Sequence, residues 1–168
     1  MNQRILILSA LLALSSSLSA TEMGEKMPAC EIMQITDTQR LELRQLGNKV
    51  LYVDFWASWC PPCAQSFPFM NELSRDFKDK GLQVLGINMD QSTEDTKAFL
   101  AKYPAHFPVG TDIDENCAKN FAIKAMPSSF LIDRKGVIRY THLGFRADDT
   151  KDIRALIEQL ITETPTLQ

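Results

Sequence analysis

The stretch Trp59-Cys60-Pro61-Pro62-Cys63 decides the fold, because it places two cysteines three positions apart where a strand pattern changes into a helix pattern. Upstream, residues 50–56 are β-branched and aromatic and predict a buried strand. Downstream, apolar residues recur at the spacing of an amphipathic helix that runs to about Lys80, namely at Phe67, Met70, Leu73 and Phe77. Cysteines at this spacing can open and close a disulfide without rebuilding the fold, so the stretch predicts a redox centre.

The start of a helix favours the reactive form of a cysteine. Unpaired backbone amides and the positive end of the helix dipole stabilise a thiolate there. We therefore expect Cys60, the first of the pair, to be the exposed nucleophile. Cys63, one turn into the helix, is expected to resolve the mixed disulfide.

The first twenty residues have the pattern of a secretory signal peptide. A short basic segment ending at Arg4 precedes an apolar run from Ile5 to Leu14, and small residues follow up to Ala20. The apolar run is about half the roughly 20 residues that a membrane-spanning helix needs, so no stable membrane anchor is expected. The pattern predicts an exported, periplasmic protein in which disulfides persist.

The rest of the chain predicts one globular domain. We expect a flexible lead-in at 21–28, the domain at 29–162 and a short tail at 163–168. Without residues 1–20, 17 Lys and Arg face 21 Asp and Glu. The basic residues form no stripe, which argues against a nucleic-acid partner.

Strand and helix patterns alternate along the domain. They predict an α/β, three-layer sandwich with a mixed central sheet. Strands are predicted at 31–36, around 41–43, at 50–56 and 82–88, near 109, and as a hairpin over 128–143. Helices are predicted at 60–80, 92–103, 115–121 and 148–161.

The run from Val53 to Cys63, followed far downstream by Met126-Pro127 and the strand Phe130-Leu131-Ile132-Asp133, resembles a thioredoxin-fold protein. More closely, it is similar to the exported TlpA/ResA-type thiol-disulfide oxidoreductases. In that branch an N-terminal strand pair and a central strand-helix insertion are added to the minimal thioredoxin fold. The resemblance covers about residues 25–162.

The resemblance assigns roles to further residues. Asp54 occupies the position of the buried thioredoxin aspartate. Burial in an apolar strand should raise its pKa, so that it accepts the proton of Cys63; the alternative is a strand-end acid paired with a surface lysine. Pro127 is implied to follow a cis peptide bond and to shape the substrate groove with Met126 and Trp59; otherwise it is a proline at a strand entry.

Two features of the redox turn bear on the direction of electron flow. Pro61 and Pro62 have no N–H to donate to the Cys60 thiolate, and a poorly stabilised thiolate makes the disulfide harder to reduce. Ser66 stands where the cytochrome c maturation members of the family carry a glutamate. A general reductase is therefore favoured over one dedicated to cytochrome c maturation.

Cys30 and Cys117 remain once the active pair is assigned. They form a structural disulfide or stay as two separate thiols, since the residues alone leave both open. His106 and His142 are too isolated in sequence to indicate a metal site.

The sequence thus predicts a periplasmic thiol-disulfide oxidoreductase that reduces protein disulfides or mixed disulfides. The cysteine pair carries the electrons, so no flavin, nicotinamide or metal cofactor is expected. The resemblance implies disulfide-containing client proteins and a membrane electron donor of the DsbD/CcdA type. Two rivals stay open: an oxidase or isomerase with the same residues, and a copper-handling module that uses Cys60 and Cys63 as ligands.

Overall fold

The computed structural model describes residues 23–112 and 114–163. The strands are β1 (Glu31–Gln34), β2 (Arg40–Glu42), β3 (Val50–Trp56), β4 (Leu82–Asn88), β5 (Val109–Thr111), β6 (Ser128–Ile132) and β7 (Ile138–Leu143). The helices are α1 (Pro61–Phe77), α2 (Thr93–Lys102), α3 (Asn116–Asn120) and α4 (Thr150–Thr162). The order of strands and helices along the chain agrees with the predicted alternation.

The seven strands form one mixed sheet in the order β2-β1-β5-β4-β3-β6-β7. β3 pairs in parallel with β4 and antiparallel with β6. All seven residues of β3 are buried, which fits its uninterrupted apolar pattern. The thioredoxin-like α/β fold is confirmed, with the predicted strand pair at β1 and β2 and the strand-helix insertion β5-α3 between α2 and β6.

Alternation along β3 divides the core into two layers. Tyr52 and Trp56 belong to an apolar cluster with α1 and α4, whereas Val53 and Phe55 belong to a second cluster with the end of α3. Asp54 lies between Tyr52 and Trp56 in the alternation and therefore faces the α1 side. The four apolar residues predicted to form the inner face of α1 are all buried there.

The N-terminal segment differs from its prediction as a flexible lead-in. The Gly24 amide donates to the Ile138 carbonyl and the Met27 amide to the Gly136 carbonyl, both at 2.8 Å. Met27 is buried in the second cluster. The hairpin edge offers unpaired backbone groups, and the lead-in satisfies them. The predicted signal peptide at 1–20 and all of the predicted tail except Glu163 lie outside the described residues.

Cys30 and Cys117 form a disulfide that joins the residue before β1 to α3. Both cysteines are buried, with exposures of 1% and 0%. The alternative of two separate thiols is therefore not what the structure contains. Within residues 23–112 and 114–163, no helix has the length and apolar character to cross a membrane.

Candidate active site

The redox turn lies between the end of β3 and the start of α1. Cys60 caps α1 in an extended conformation, Pro61 is its first helical residue, and Cys63 lies in the first turn. The two sulfurs form a disulfide. The side chain of Trp59 is 69% exposed, so it borders the redox turn on the solvent side.

In this oxidised state both cysteines of the redox turn are largely buried. Cys60 is 4% exposed and Cys63 is 0% exposed. Both cysteines belong to the same apolar cluster. The order of exposure is the predicted one, because Cys60 retains the only solvent access of the pair.

The first turn of α1 presents few hydrogen-bond donors to the Cys60 sulfur. Pro61 and Pro62 have no N–H. The Cys63 amide donates to the Cys60 carbonyl at 3.0 Å. One turn later the buried Ser66 hydroxyl donates to the Cys63 carbonyl at 3.0 Å, so the position holds a neutral donor rather than an acid.

The Met126–Pro127 peptide bond is cis, as the resemblance implies. Pro127 leads directly into β6, and its carbonyl accepts the Gly144 amide at 2.8 Å. Met126 is partly buried against the cluster that contains the cysteines. The structure thus brings Met126 to the redox cluster, where the resemblance implies a substrate groove.

Asp54 is fully buried, at 0% exposure. Burial raises the pKa of its carboxyl to about 7, and the opposing contribution is a hydrogen bond from Ser129. The Ser129 hydroxyl donates to Asp54 Oδ2 at 2.7 Å, while Oδ1 has no hydrogen-bond partner in the described part of the chain. The alternative of a surface acid paired with a lysine is excluded by this burial. The arrangement can take up and release a proton near neutral pH.

Sequence reasoning missed the carboxylate that holds the redox loop. Asp90, just after β4, accepts hydrogen bonds from the Ser58 amide and the Ser58 hydroxyl at 3.0 Å each. The same carboxylate accepts from the Asn88 amide at 2.8 Å. The sequence could have predicted this contact, because β3 and β4 are parallel neighbours and the polar residues that follow them, Ser58 and Asp90, meet at one edge of the sheet.

A cavity of about 650 Å³ lies at this edge, lined by Met33, Met89, Asp90 and Asp114 among others. Neither active cysteine lines this cavity.

His142 lies on β7, far from the redox turn in sequence, and is 5% exposed. Its Nε2 is 2.7 Å from Asp149 Oδ2, so this ring nitrogen is hydrogen-bonded within the fold.

Known proteins that are similar in sequence to this chain are thiol-disulfide oxidoreductases, which agrees with a redox disulfide at Cys60 and Cys63. The Redoxin family model matches residues 22–157. The thiol-disulfide oxidoreductase ResA of Bacillus thuringiensis subsp. konkukian is 31% identical over 117 residues, which are 70% of this chain and 67% of that protein. ResA of Bacillus subtilis is 30% identical over 107 residues, covering 64% of this chain and 60% of that protein.

A solved structure is also similar to this chain. The crystal structure of a thiol:disulfide interchange protein DsbE from Chlorobium tepidum aligns with this chain with a TM-score of 0.79 and 39% sequence identity. The alignment covers 83% of this chain and 98% of that one. The likeness therefore extends over the sheet, the helices and the redox turn together.

Proposed function

Because the chain belongs to the redoxin family and is a protein-disulfide oxidoreductase of the TlpA/ResA type, we propose that it is an exported reductant of protein disulfides. Cys60 and Cys63 carry the two electrons. The observation that supports the reducing direction is the first turn of α1, where Pro61 and Pro62 donate no hydrogen bond and the Cys63 amide is used by a carbonyl.

The reaction begins when the Cys60 thiolate attacks a client disulfide. A bond forms between Cys60 Sγ and one client sulfur, and the other client sulfur leaves as a thiolate. Met126, Pro127 and Trp59 border the place where the client chain must lie. The client is thereby joined to the protein by a mixed disulfide.

Resolution releases the second client sulfur. The Cys63 thiol gives its proton to Asp54, whose Oδ1 is free to accept it. The Cys63 thiolate then attacks Cys60 Sγ, the second client thiolate leaves, and the Cys60–Cys63 disulfide forms. The client gains two electrons and the protein loses two.

A second dithiol must then reduce the Cys60–Cys63 disulfide. An exported protein works in an oxidising compartment, so its electrons must come from the other side of the membrane. We propose a membrane dithiol conduit of the DsbD/CcdA type as this donor. Fractionation of cells that express the full chain tests the export step, and a protein that stays in the cytoplasm with residues 1–20 attached would contradict it.

The reduction potential tests the direction of electron flow. Equilibration with glutathione should place it nearer the roughly −270 mV of thioredoxin than the about −120 mV of the strong periplasmic oxidant. Pro62→His restores an N–H and adds an imidazole that is partly protonated near neutral pH, and both stabilise the Cys60 thiolate, so the potential should rise. Pro104→Ala, a proline after α2, is the matched control and should leave it unchanged. A potential above about −150 mV for the unaltered protein would replace the reductase by an oxidase.

A further inference from the structure

Two buried hydroxyl groups form a chain that ends on Asp54. The Tyr52 hydroxyl donates to Ser129 Oγ at 3.0 Å, and the Ser129 hydroxyl donates to Asp54 Oδ2 at 2.7 Å. Tyr52 is 2% exposed and Ser129 is 3% exposed, so water does not compete for these bonds. Nothing in the sequence pattern joins the three residues.

The sheet register brings them together. Asp54 on β3 is directly opposite Ser129 on the antiparallel strand β6. Tyr52 is opposite Leu131, which places it diagonally across from Ser129 and on the same face as Asp54. A diagonal neighbour is within reach of a long side chain such as tyrosine.

The chain has one direction. A serine hydroxyl carries a single hydrogen, and Tyr52 donates to the Ser129 oxygen, so the Ser129 hydrogen is directed to the carboxylate. Burial raises the pKa of Tyr52 well above its ordinary value, so that Tyr52 stays a neutral donor over the working pH range. Ser129 is therefore a fixed donor to one of the two carboxylate oxygens.

Among the described residues, Ser129 is the one side chain that donates a hydrogen bond to Asp54. On the β4 side its partner is Gly86, where even a Cβ would lie 3.1 Å from both the Trp56 indole nitrogen and the Phe107 ring. On β7 the residues that pair with Ser129 and Leu131 are the titratable His142 and Tyr140, and His142 Nε2 is held by Asp149. On α1 the residue of the redox turn that titrates once the disulfide is reduced is Cys63.

We infer that Ser129 and Tyr52 are positioning residues for the proton transfer: they hold Asp54 Oδ2, orient the carboxyl group, and leave Oδ1 as the atom that receives the proton of Cys63. This inference rests on the proposed role of Asp54 in resolution. The two hydroxyls favour the ionised form of a carboxylate that burial disfavours, so they determine what fraction of the protein can accept a proton at neutral pH.

The test is the titration of the Asp54 carboxyl carbon by NMR in the oxidised protein. Ser129→Ala should raise the pKa of Asp54 by about one unit or more, since a hydrogen bond to a charged group is lost. Tyr52→Phe should raise it by less, because Ser129 still donates but is less polarised. Ser129→Thr keeps the hydroxyl and should restore the wild-type value. Ser128→Ala, the neighbouring buried serine whose hydroxyl donates to the Ala125 carbonyl, is the matched control.

The same variants give a kinetic readout. The pH at which resolution of the mixed disulfide is half-maximal should move with the pKa of Asp54 in each variant, and Ser129→Thr should return it. An Asp54 pKa that Ser129→Ala leaves within about 0.3 unit of wild type would overturn the inference, as would a shift of the same size in Ser128→Ala. If Asp54→Asn resolves mixed disulfides at the wild-type rate, the proposed role of Asp54 fails, whereas the titration still decides the role of Ser129.

Discussion

Cys60 and Cys63 lie one turn apart but have different surroundings. Cys60 precedes the helix, next to the exposed Trp59, whereas Cys63 is inside the first turn with no solvent exposure. A nucleophile must reach a sulfur on another protein, and a resolving thiol must reach only its neighbour. The difference in access therefore assigns the two roles.

Limited alkylation of the reduced protein tests this assignment. A substoichiometric reagent should label Cys60 first, because only Cys60 has access to solvent. Cys63→Ser should accumulate a mixed disulfide with a client, and Cys60→Ser should form none. Peptide mass mapping reads both results, and preferential labelling of Cys63 would reverse the roles.

Asp54→Asn should slow the resolution of mixed disulfides by about 100-fold, the lower part of the range for general acid-base catalysis. In the wild type the rate should rise as the pH passes about 7, where the carboxyl ionises. The variant should lose that rise, as measured by stopped-flow mixing from pH 6 to 8. Asp79→Asn, in the turn after α1, controls for the loss of one carboxylate. An unchanged profile in Asp54→Asn would make Asp54 a structural residue only.

Single residues differ in how far sequence alone could place them. Asp54 was predictable, because an acid inside an apolar strand must be buried and its pKa must rise. Ser129 was not, because its contact with Asp54 depends on the register between β3 and β6, which no local pattern encodes.

At the scale of elements, the loop between β3 and α1 is held by the loop that follows β4. Asp90 accepts hydrogen bonds from Ser58 and Asn88, and the Met89 amide donates to the Trp56 carbonyl at 2.9 Å. The residues before Cys60 are therefore fixed from outside their own loop. This restricts where Trp59 and Cys60 can move when the disulfide opens.

Asp90→Ala should lower the free energy of unfolding by about 1–3 kcal/mol, since it leaves partly buried donors without an acceptor. Urea unfolding of the oxidised protein measures this loss. Asp95→Ala, an acid in the first turn of α2 with an exposed side chain, should change it by about 0.5 kcal/mol or less. Equal losses in the two variants would show that Asp90 has no special role in the loop.

Element positions were largely predictable, whereas element ends were less so. The strands 50–56 and 82–88 have the predicted bounds, because both are short apolar runs between turn residues. The redox helix ends at Phe77 rather than near Lys80, since residues Lys78–Lys80 tighten into a 3-10 turn before Gly81. The last turn of a helix commonly takes this form, and the apolar spacing continues through it.

At the scale of the whole molecule, the Cys30–Cys117 disulfide closes a loop with a sequence separation of 87 residues. That loop contains the redox turn and the five strands β1 to β5. Closing a loop of this length removes conformational freedom from the unfolded chain and stabilises the fold by up to roughly 4.6 kcal/mol. The Cys30–Cys117 disulfide thus stabilises the sheet that carries the Cys60–Cys63 redox turn.

Replacing both Cys30 and Cys117 by alanine should lower the free energy of unfolding by roughly 2–5 kcal/mol and leave the reduction potential of Cys60–Cys63 unchanged. Mild reduction of the wild type followed by alkylation should label two cysteines rather than four, because a reductant must reach a sulfur and Cys60, at 4% exposure, is more accessible than Cys30 at 1% or Cys117 at 0%. Guanidinium unfolding and intact mass provide the two measurements. Four labelled cysteines at the midpoint of Cys60–Cys63 reduction would mean that the second disulfide is also redox-active.

Asp54 also couples the stability of the whole fold to pH. Its pKa is about 7 in the folded protein against an ordinary value of 3.8. Between these values the folded state holds a proton that the unfolded chain has released, so the free energy of unfolding decreases as the pH rises. Above about pH 7 both states are ionised, and the full cost, on the order of a few kcal/mol, is present.

Asp54→Asn removes this cost, because the amide keeps the volume of the side chain and cannot ionise. The variant should therefore gain stability relative to the wild type as the pH rises from 4 to 8, and the gain should level off above about pH 7. Urea unfolding of both proteins at each pH gives the difference directly, and Asp79→Asn controls for the loss of one carboxylate charge. A difference that is constant over this range would mean that Asp54 titrates alike in the folded and unfolded chain. In that case burial would not be what prepares this carboxyl group to receive the proton of Cys63.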